Sequence, residues 1–372
     1  MAPEKQDNLE VEFRPSLKFQ HINWRLREKL RIPARFLVQK KSPRWGSLFI
    51  TTTCNQSCNW CKVPKRSPNI NLSTEEWKGI IDRLASWGIC ATTIVGGEPT
   101  TRSDLPELIF YLRNKSILPC LISNFTLLNY KMIDTFATSG LFWLQASIDS
   151  LRGHGRGKES WLDLLSYARR VGILPMVSTL VTAQNVDEVP YIAKEVTGRG
   201  IIFNCSLYQE VGGEFSVVVN GLKPKREEVI STFRRLEVIK RQTGLIRTTY
   251  NYLRNVERFY YDGLYHCDPR KEDWVNVSAD GMLMPCQEYL STVGVLDITS
   301  LRDPRWLRER EAMLLSCKGC YYQCYYEQNT LGWHSVLNEM NGIISMFKVL
   351  SQPLKTSKKK LIIPYNSVLK EG

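Results

Sequence analysis

The chain contains eleven cysteines, and eight of them (Cys54, Cys58, Cys61, Cys267, Cys286, Cys317, Cys320 and Cys324) fall in two clusters. The first cluster, Cys54-Asn-Gln-Ser-Cys58-Asn-Trp-Cys61, has the spacing C-x3-C-x2-C. Three thiolates from one tight loop can hold three irons of a [4Fe–4S] cube and leave the fourth iron open to a small molecule. A zinc knuckle that borrows a fourth ligand from elsewhere is the competing reading. The second cluster runs from Cys267 through Gly281-Met-Leu-Met-Pro-Cys286 to Cys317-Lys-Gly-Cys320-Tyr-Tyr-Gln-Cys324. Asp280-Gly281, set between β-prone runs, predicts a hairpin that brings Cys267 and Cys286 together. Five thiols exceed the four a second cube needs, and two cysteine pairs also suit structural zinc.

These residues need a frame to hold them. From residue 48, short apolar runs rich in β-branched residues alternate with helical patterns. Strands are expected at 48–54, 91–96, 118–124, 143–149, 175–182 and 201–208. Helices are expected at about 74–87, 105–115, 130–138, 160–171, 186–198 and 225–243. The first helix has a capping box, Ser73-Thr-Glu-Glu76, and apolar residues Trp77, Ile80, Ile81 and Leu84 at helical spacing. Six βα units imply a parallel sheet with right-handed crossovers. They are too few to close an eight-stranded barrel, so the expected fold is α/β, a partial (β/α)6 TIM-like barrel. Chemistry in such barrels sits at the C-terminal strand ends, and Cys54 follows the first strand directly.

The chain divides into a basic leader (1–46), the barrel (47–245), an aromatic, cysteine-bearing module (246–330), and an amphipathic segment with a basic tail (331–372). No apolar run reaches the length of a membrane span, and the polar N-terminus lacks a secretory signal. A cytoplasmic location is expected, and there clustered cysteines point to metal rather than to disulfides. The net charge of +13 favours polyanionic partners or an anionic membrane surface and says nothing about fold.

The N-terminal triplet resembles the signature of the radical S-adenosylmethionine (SAM) superfamily, including the aromatic Trp60 before the third cysteine. Gly96-Gly97-Glu98-Pro99 ends the second strand and resembles the superfamily's GGEP motif. That resemblance implies that the open iron is chelated by the methionine part of SAM, with the GGEP backbone and Glu98 meeting the methionine ammonium. It implies that Ser123 and Asn124 after the third strand, and Ser147 and Asp149 after the fourth, contact the cofactor's carboxylate or ribose. Read from their residue types alone, the same positions are ordinary loop caps. Gly281-x4-Cys286 resembles the auxiliary-cluster modules called SPASM and twitch. Five cysteines there imply one auxiliary [4Fe–4S] cluster with one cysteine to spare.

The resemblance implies an enzyme: one electron from the cluster cleaves SAM to a 5′-deoxyadenosyl radical, which abstracts hydrogen from a substrate or adds to it. An external electron donor of flavodoxin or ferredoxin type is implied as a partner. The auxiliary cluster favours net oxidation or formation of a C–C or C–S bond. Three substrate readings compete: a small or lipid-linked anionic metabolite, with peripheral membrane contact through the basic termini; a ribosomal peptide, as for many SPASM proteins; and a zinc-stabilised nucleic-acid-binding protein with no catalysis. Charge supports the third, but the placement of Gly96–Pro99 one βα unit after the triplet opposes it. Cys90, Cys120 and Cys205 read as buried small hydrophobes. Cys205 and Glu210, at the sixth strand end, are the remaining proton- or hydrogen-donor candidates. Asn185 is a weaker cofactor-contact candidate, and Arg152, His154 and Arg156 are expected in a basic loop.

Overall fold

The computed structural model describes residues 45–61, 63, 71–150, 160–210, 218–263, 265–267, 274–320, 322–330 and 344. Arg152, His154, Arg156, the leader up to residue 44, and the C-terminal tail lie outside them.

Six strands and six helices alternate as the spacing predicts. The strands are β1 (Trp45–Phe49), β2 (Ala91–Val95), β3 (Leu118–Ser123), β4 (Trp143–Ser147), β5 (Leu174–Val181) and β6 (Ile202–Leu207). The helices are α1 (Thr74–Ser86), α2 (Leu105–Asn114), α3 (Tyr130–Ser139), α4 (Trp161–Arg170), α5 (Val189–Gly198) and α6 (Arg226–Thr243). The capping box of α1 forms as read: Ser73 Oγ accepts from Glu76 N, and Glu76 Oε2 accepts from Ser73 N. Trp77, Ile80, Ile81 and Leu84 face the sheet and are buried.

Three features depart from the sequence pattern. β1 begins at Trp45 and ends at Phe49, because Trp45–Leu48 pair with a partner the periodicity does not announce, β7 (Trp274–Val277). β7 runs parallel to β1 and turns back into the short β8 (Leu283–Met284) through the expected hairpin, with Gly281 at φ 85°. A helix α7 (Tyr250–Tyr261) stands where little helical periodicity is visible. Its buried positions are Tyr252, Leu253, Val256 and Tyr260, so tyrosines fill part of its apolar stripe. Among the described residues two further helices follow, α8 (Pro304–Ser316) and α9 (Gln323–Thr330).

The eight strands of the described residues form one sheet in the order β6-β5-β4-β3-β2-β1-β7-β8. Alternation sorts its faces. Leu48, Ile94, Leu121, Leu144 and Val177 enter the helix-side core. Trp45, Thr93 and Trp143 lie on the opposite face, where Trp45 donates to Thr93 Oγ1 at 2.8 Å and its ring sits 5.7 Å from that of Trp143.

This second face is concave. Gln323 of α9 donates to Asn204 on β6 at 2.7 Å, while Asn276 on β7 donates to the Tyr325 hydroxyl at 3.1 Å. In a flat sheet six strand steps would hold β6 and β7 roughly 29 Å apart. Side chains two residues apart on one helix reach both, so the sheet wraps into most of a barrel and α9 closes the gap. At the N-terminal strand ends Trp45 stacks on Trp274 and meets Trp143 at a tilt of 44°, and the three rings form its floor. The fold is therefore the expected α/β partial barrel, and the cysteine-bearing C-terminal segment is built into it by β7 and α9.

Candidate active site

Beyond β1 the chain stays extended against the end of β2. Gly97 N donates to Thr51 O at 2.7 Å, and Glu98 N donates to Thr53 O at 2.8 Å. A Cβ on Gly96 would stand 2.3 Å from Thr51 O, and one on Gly97 would stand 2.1 Å from Thr53 O. Gly96 also has φ 143°, a backbone region that side chains disfavour. The two glycines thus permit backbone-on-backbone contact with the segment that carries the first cysteine. Arg102 adds a second clamp by donating to Ile50 O at 2.9 Å and Leu72 O at 3.0 Å.

Cys54 and Cys58 are exposed and Cys61 is half-buried, with Cys61 N donating to Cys58 O at 3.0 Å. Burial, followed by the neighbouring Glu98 carboxylate and Cys61, pushes the Cys54 thiol up. Burial, then Cys61 and Cys54, and then Asp149, does the same to Cys58. The loop, the end of β2 and the end of β4 therefore lie close enough for their charges to act on the thiols. Asn124, at the end of β3, joins them: its Nδ2 donates to Asn55 Oδ1 within the cysteine loop at 2.9 Å.

Glu98 is 1% exposed. Its Oε1 accepts from Thr100 N, Thr100 Oγ1 and Ser123 Oγ, and its Oε2 accepts from Asn124 N at 2.7 Å. It therefore ties the ends of β2 and β3 together. Burial raises its pKa despite these donors. Pro99 opens a short 3-10 turn behind it. Asp149 accepts from Leu180 N at 2.9 Å, and Asn185 Nδ2 donates to Asp149 O and Leu180 O. Asn185 thus braces the Asp149 turn. Ser147 is half-buried at the last position of β4.

The five C-terminal cysteines also group. Cys286, Tyr289 and Tyr325 form a small core against which Cys267, Cys317 and Cys324 pack. Cys320 N donates to Tyr265 O at 2.9 Å, and Cys320 shares electrostatic effects with Cys267, Cys324 and Cys317. Burial first, then the neighbouring thiols, pushes Cys267 up to about 12. Tyr325 threads the group: its hydroxyl accepts from both Gln287 N and Asn276 Nδ2 at 3.1 Å.

Cys90, Cys120 and Cys205 are 5%, 0% and 0% exposed, as a packing role requires. Cys205 lies on the helix side of β6 beside Thr248, away from the barrel interior. Its candidacy as a hydrogen donor falls with that placement. Glu210 pairs with Lys223 at 3.2 Å. The sequence reading missed Arg102, Asn55 and the Thr51–Thr53 backbone, whose partners are remote in the chain.

Residues 48–196 match the family model described as the radical SAM superfamily. The segment that carries the cysteine loop and the Gly96–Pro99 turn is thus similar to the radical SAM superfamily. It is 30% identical over 207 residues to the Fe-coproporphyrin III synthase of Methanosarcina barkeri, covering 52% of this chain and 51% of that protein. It is 28% identical over 155 residues to the PqqA peptide cyclase of Bradyrhizobium diazoefficiens, covering 39% and 41%. The chain thus spans about half the length of the curated relatives it matches. In fold it is similar to SuiB of Streptococcus suis, solved bound to S-adenosylmethionine, with a TM-score of 0.56, 15% identity, and coverage of 76% of this chain and 71% of that one.

The radical SAM family implies a [4Fe–4S] cluster and SAM. Among the described residues, no three His, Cys, Asp or Glu side chains converge on a single metal ion. A cube does not ask for that, since each thiolate holds a different iron. The loop fits a three-thiolate cube: three neighbouring thiols lie at the surface, and every other cysteine is either buried in the sheet or grouped in the C-terminal set.

Proposed function

We propose that this chain is an enzyme that holds a [4Fe–4S] cluster on Cys54, Cys58 and Cys61 and uses SAM to modify a substrate inside the partial barrel. The carrying observation is the loop itself, which offers three thiols and no fourth at the C-terminal end of a barrel strand. When bound, the cluster and SAM supply a 5′-deoxyadenosyl radical for hydrogen abstraction or addition. The chain's own residues position this chemistry. Gly96 and Gly97 let the backbone of β2 brace the cysteine loop. Glu98 locks the ends of β2 and β3. Ser123 is buried on Glu98, while the half-buried Asn124, Ser147 and Asp149 offer amide, hydroxyl and carboxylate groups to a ribose or an amino acid group. Residues 47–245 form the radical SAM barrel in this reading. Residues 246–330, with Cys267, Cys286, Cys317, Cys320 and Cys324, hold one auxiliary [4Fe–4S] cluster and leave one thiol over. The grouping of these thiols around Tyr325, against the barrel gap, supports that role.

A peptide is the first substrate class, supported by the similarity to a PqqA peptide cyclase. A small anionic metabolite is the second, supported by the similarity to an Fe-coproporphyrin III synthase and by the net charge of +13. A flavodoxin- or ferredoxin-type donor supplies the electron. Peripheral membrane contact belongs to the basic termini and is read out by co-sedimentation with anionic vesicles. No helix of the described residues is long and apolar enough to cross a membrane.

The test is anaerobic reconstitution, metal analysis, and incubation with dithionite and SAM. Brown protein with about eight irons and release of 5′-deoxyadenosine are expected. Colourless protein with stoichiometric zinc and no SAM cleavage would overturn the reading.

A further inference from the structure

Among the described residues, Arg247 is the cation that the concave face of the sheet carries. Alternation sets its direction. Leu245 packs with Leu174, Met176, Ile202 and Trp143 on the barrel side, whereas Ile246 joins the helix-side core. Arg247, two positions beyond Leu245, returns to the interior. Its guanidinium carbon stands 5.7 Å from the centre of the Trp143 ring. The polar strand residues facing the same space are neutral: Gln145, Ser147, Ser178, Asn204 and Ser206. Ser147, Ser178, Ser206 and Arg247 itself are partly exposed, so solvent reaches this interior.

The backbone around Arg247 is held from several sides. Phe203 N donates to Leu245 O, and Arg247 N donates to Phe203 O, which lays the segment along the free edge of β6. Lys240 is 3% exposed, and its ammonium donates to the carbonyls on either side of Arg247: Ile246 O at 2.8 Å and Thr248 O at 2.9 Å. Thr249 N donates to Glu327 Oε1 at 2.7 Å. A buried charge spent on two flanking carbonyls fixes where the arginine points.

The guanidinium is not consumed by this frame. Its charge bears on the Cys120 and Cys324 thiols and on the Glu327 carboxyl. Among the described residues it forms no hydrogen bond and no ion pair within 4.0 Å. Glu327 Oε1 is already occupied by Thr249 N and by Gln323 Nε2 at 3.0 Å. An arginine packed on an aromatic ring with its N–H fork open matches a planar carboxylate.

We propose that Arg247 is a specificity-determining residue that binds a carboxylate of the substrate at the floor of the barrel. The proposal rests on the reading above, in which the substrate lies inside the barrel. Trp143 and Ser147 bound β4, and four residues of strand span roughly 13 Å. A substrate anchored by its carboxylate on Arg247 extends along that depth toward the cysteine loop. Both substrate classes named above share this chemistry: a peptide through an acidic side chain or its C-terminus, a metabolite through an acid group.

The test uses the metal-loaded full chain and two probes of equal shape, hexanoate and hexanamide. Calorimetry is expected to show hexanoate bound more tightly, by about tenfold or more, the size of one charge-assisted pair. Arg247→Gln should abolish that preference, and Arg247→Lys should keep only part of it. A measurement that needs no variant is modification of Arg247 by phenylglyoxal, read by peptide mass spectrometry. Hexanoate should protect the residue and hexanamide should not. Equal affinity for the two probes in the native protein, or an undiminished preference in Arg247→Gln, would overturn the proposal. Selective protection by hexanoate in a preparation that releases no 5′-deoxyadenosine would uphold the carboxylate site while sinking the radical reading.

Discussion

Gly97 lies against Thr53 so closely that a methyl group on its Cα would stand 2.1 Å from the Thr53 carbonyl oxygen and 2.8 Å from that of Thr52. The opposing atoms are backbone and cannot swing aside, so Gly97→Ala must displace the segment that leads into Cys54. Barrel stability depends mainly on the core and should change little by comparison. The iron content of reconstituted Gly97→Ala should fall, and 5′-deoxyadenosine formation should drop about 100-fold, the cost of misplacing a reacting group by an ångström. Normal iron content and normal cleavage in this variant would show that the contact has no role at the site.

The two cysteine groups should fail differently. Cys58→Ala removes one of three thiols from the exposed loop and should abolish SAM cleavage. Cys286→Ala disturbs the set packed around Tyr289 and Tyr325, remote in sequence from that loop. It should leave cleavage to 5′-deoxyadenosine in place while product formation stops. Liquid chromatography of both reactions separates the outcomes, and loss of cleavage in both variants alike would remove the division of labour.

Arg102 and Asp104 offer a pH-dependent handle on the same loop. Burial raises the Asp104 pKa, but the Arg102 guanidinium and the Thr74 hydroxyl, both hydrogen-bonded to it, outweigh burial and hold it below its ordinary value of 3.8. A carboxylate depressed on folding stabilises the protein above its unfolded-state pKa and loses that contribution as pH falls through the folded value. Asp104→Asn should therefore cost about 1–3 kcal/mol at neutral pH. The gap from the native protein should narrow as pH drops below about 4, the unperturbed carboxylate range. Urea titrations at several pH values measure it, and a gap that widens toward acid would refute the assignment.

Tyr325 is the acceptor for two donors, Gln287 N and Asn276 Nδ2, and Asn276 is 0% exposed. Tyr325→Phe keeps the ring but strips that acceptor, leaving Gln287 N without it and Asn276 Nδ2 with Met284 O at 3.4 Å. A loss of about 1–3 kcal/mol is expected. Because the lost hydroxyl holds Gln287 N, next to Cys286, the variant should slow metal loading of the auxiliary set more than that of the loop. Differential scanning calorimetry and iron analysis test the two parts separately.

The core gives a plain stability prediction. Trp77 is 0% exposed between α1 and the sheet, and Trp77→Ala should destabilise the chain by about 3–5 kcal/mol through the cavity it leaves. Thermal unfolding measures the effect, and a shift near zero would mean that the site collapses around the smaller side chain.

The sequence by itself determined the alternation of β1–β6 with α1–α6, the capping box at Ser73, the hairpin at Asp280–Gly281 and the two cysteine clusters. Each is a local pattern, carried by side-chain period, turn residues and spacing within a few positions. The three thiols of the loop are legible for the same reason, since one short loop must present them together. Only the tertiary structure decided the rest. It showed that Gly96 and Gly97 serve the backbone at Thr51–Thr53, and that Glu98 is buried as a tie between two strand ends. It added β7 to the edge of β1, revealed α7 behind its tyrosines, and put Arg247 over Trp143. These relationships join residues tens to hundreds of positions apart, from Trp45 beside Trp274 to Asn204 beside Gln323. No periodicity records them, because they exist only once the sheet has curved and its distant strands stand face to face.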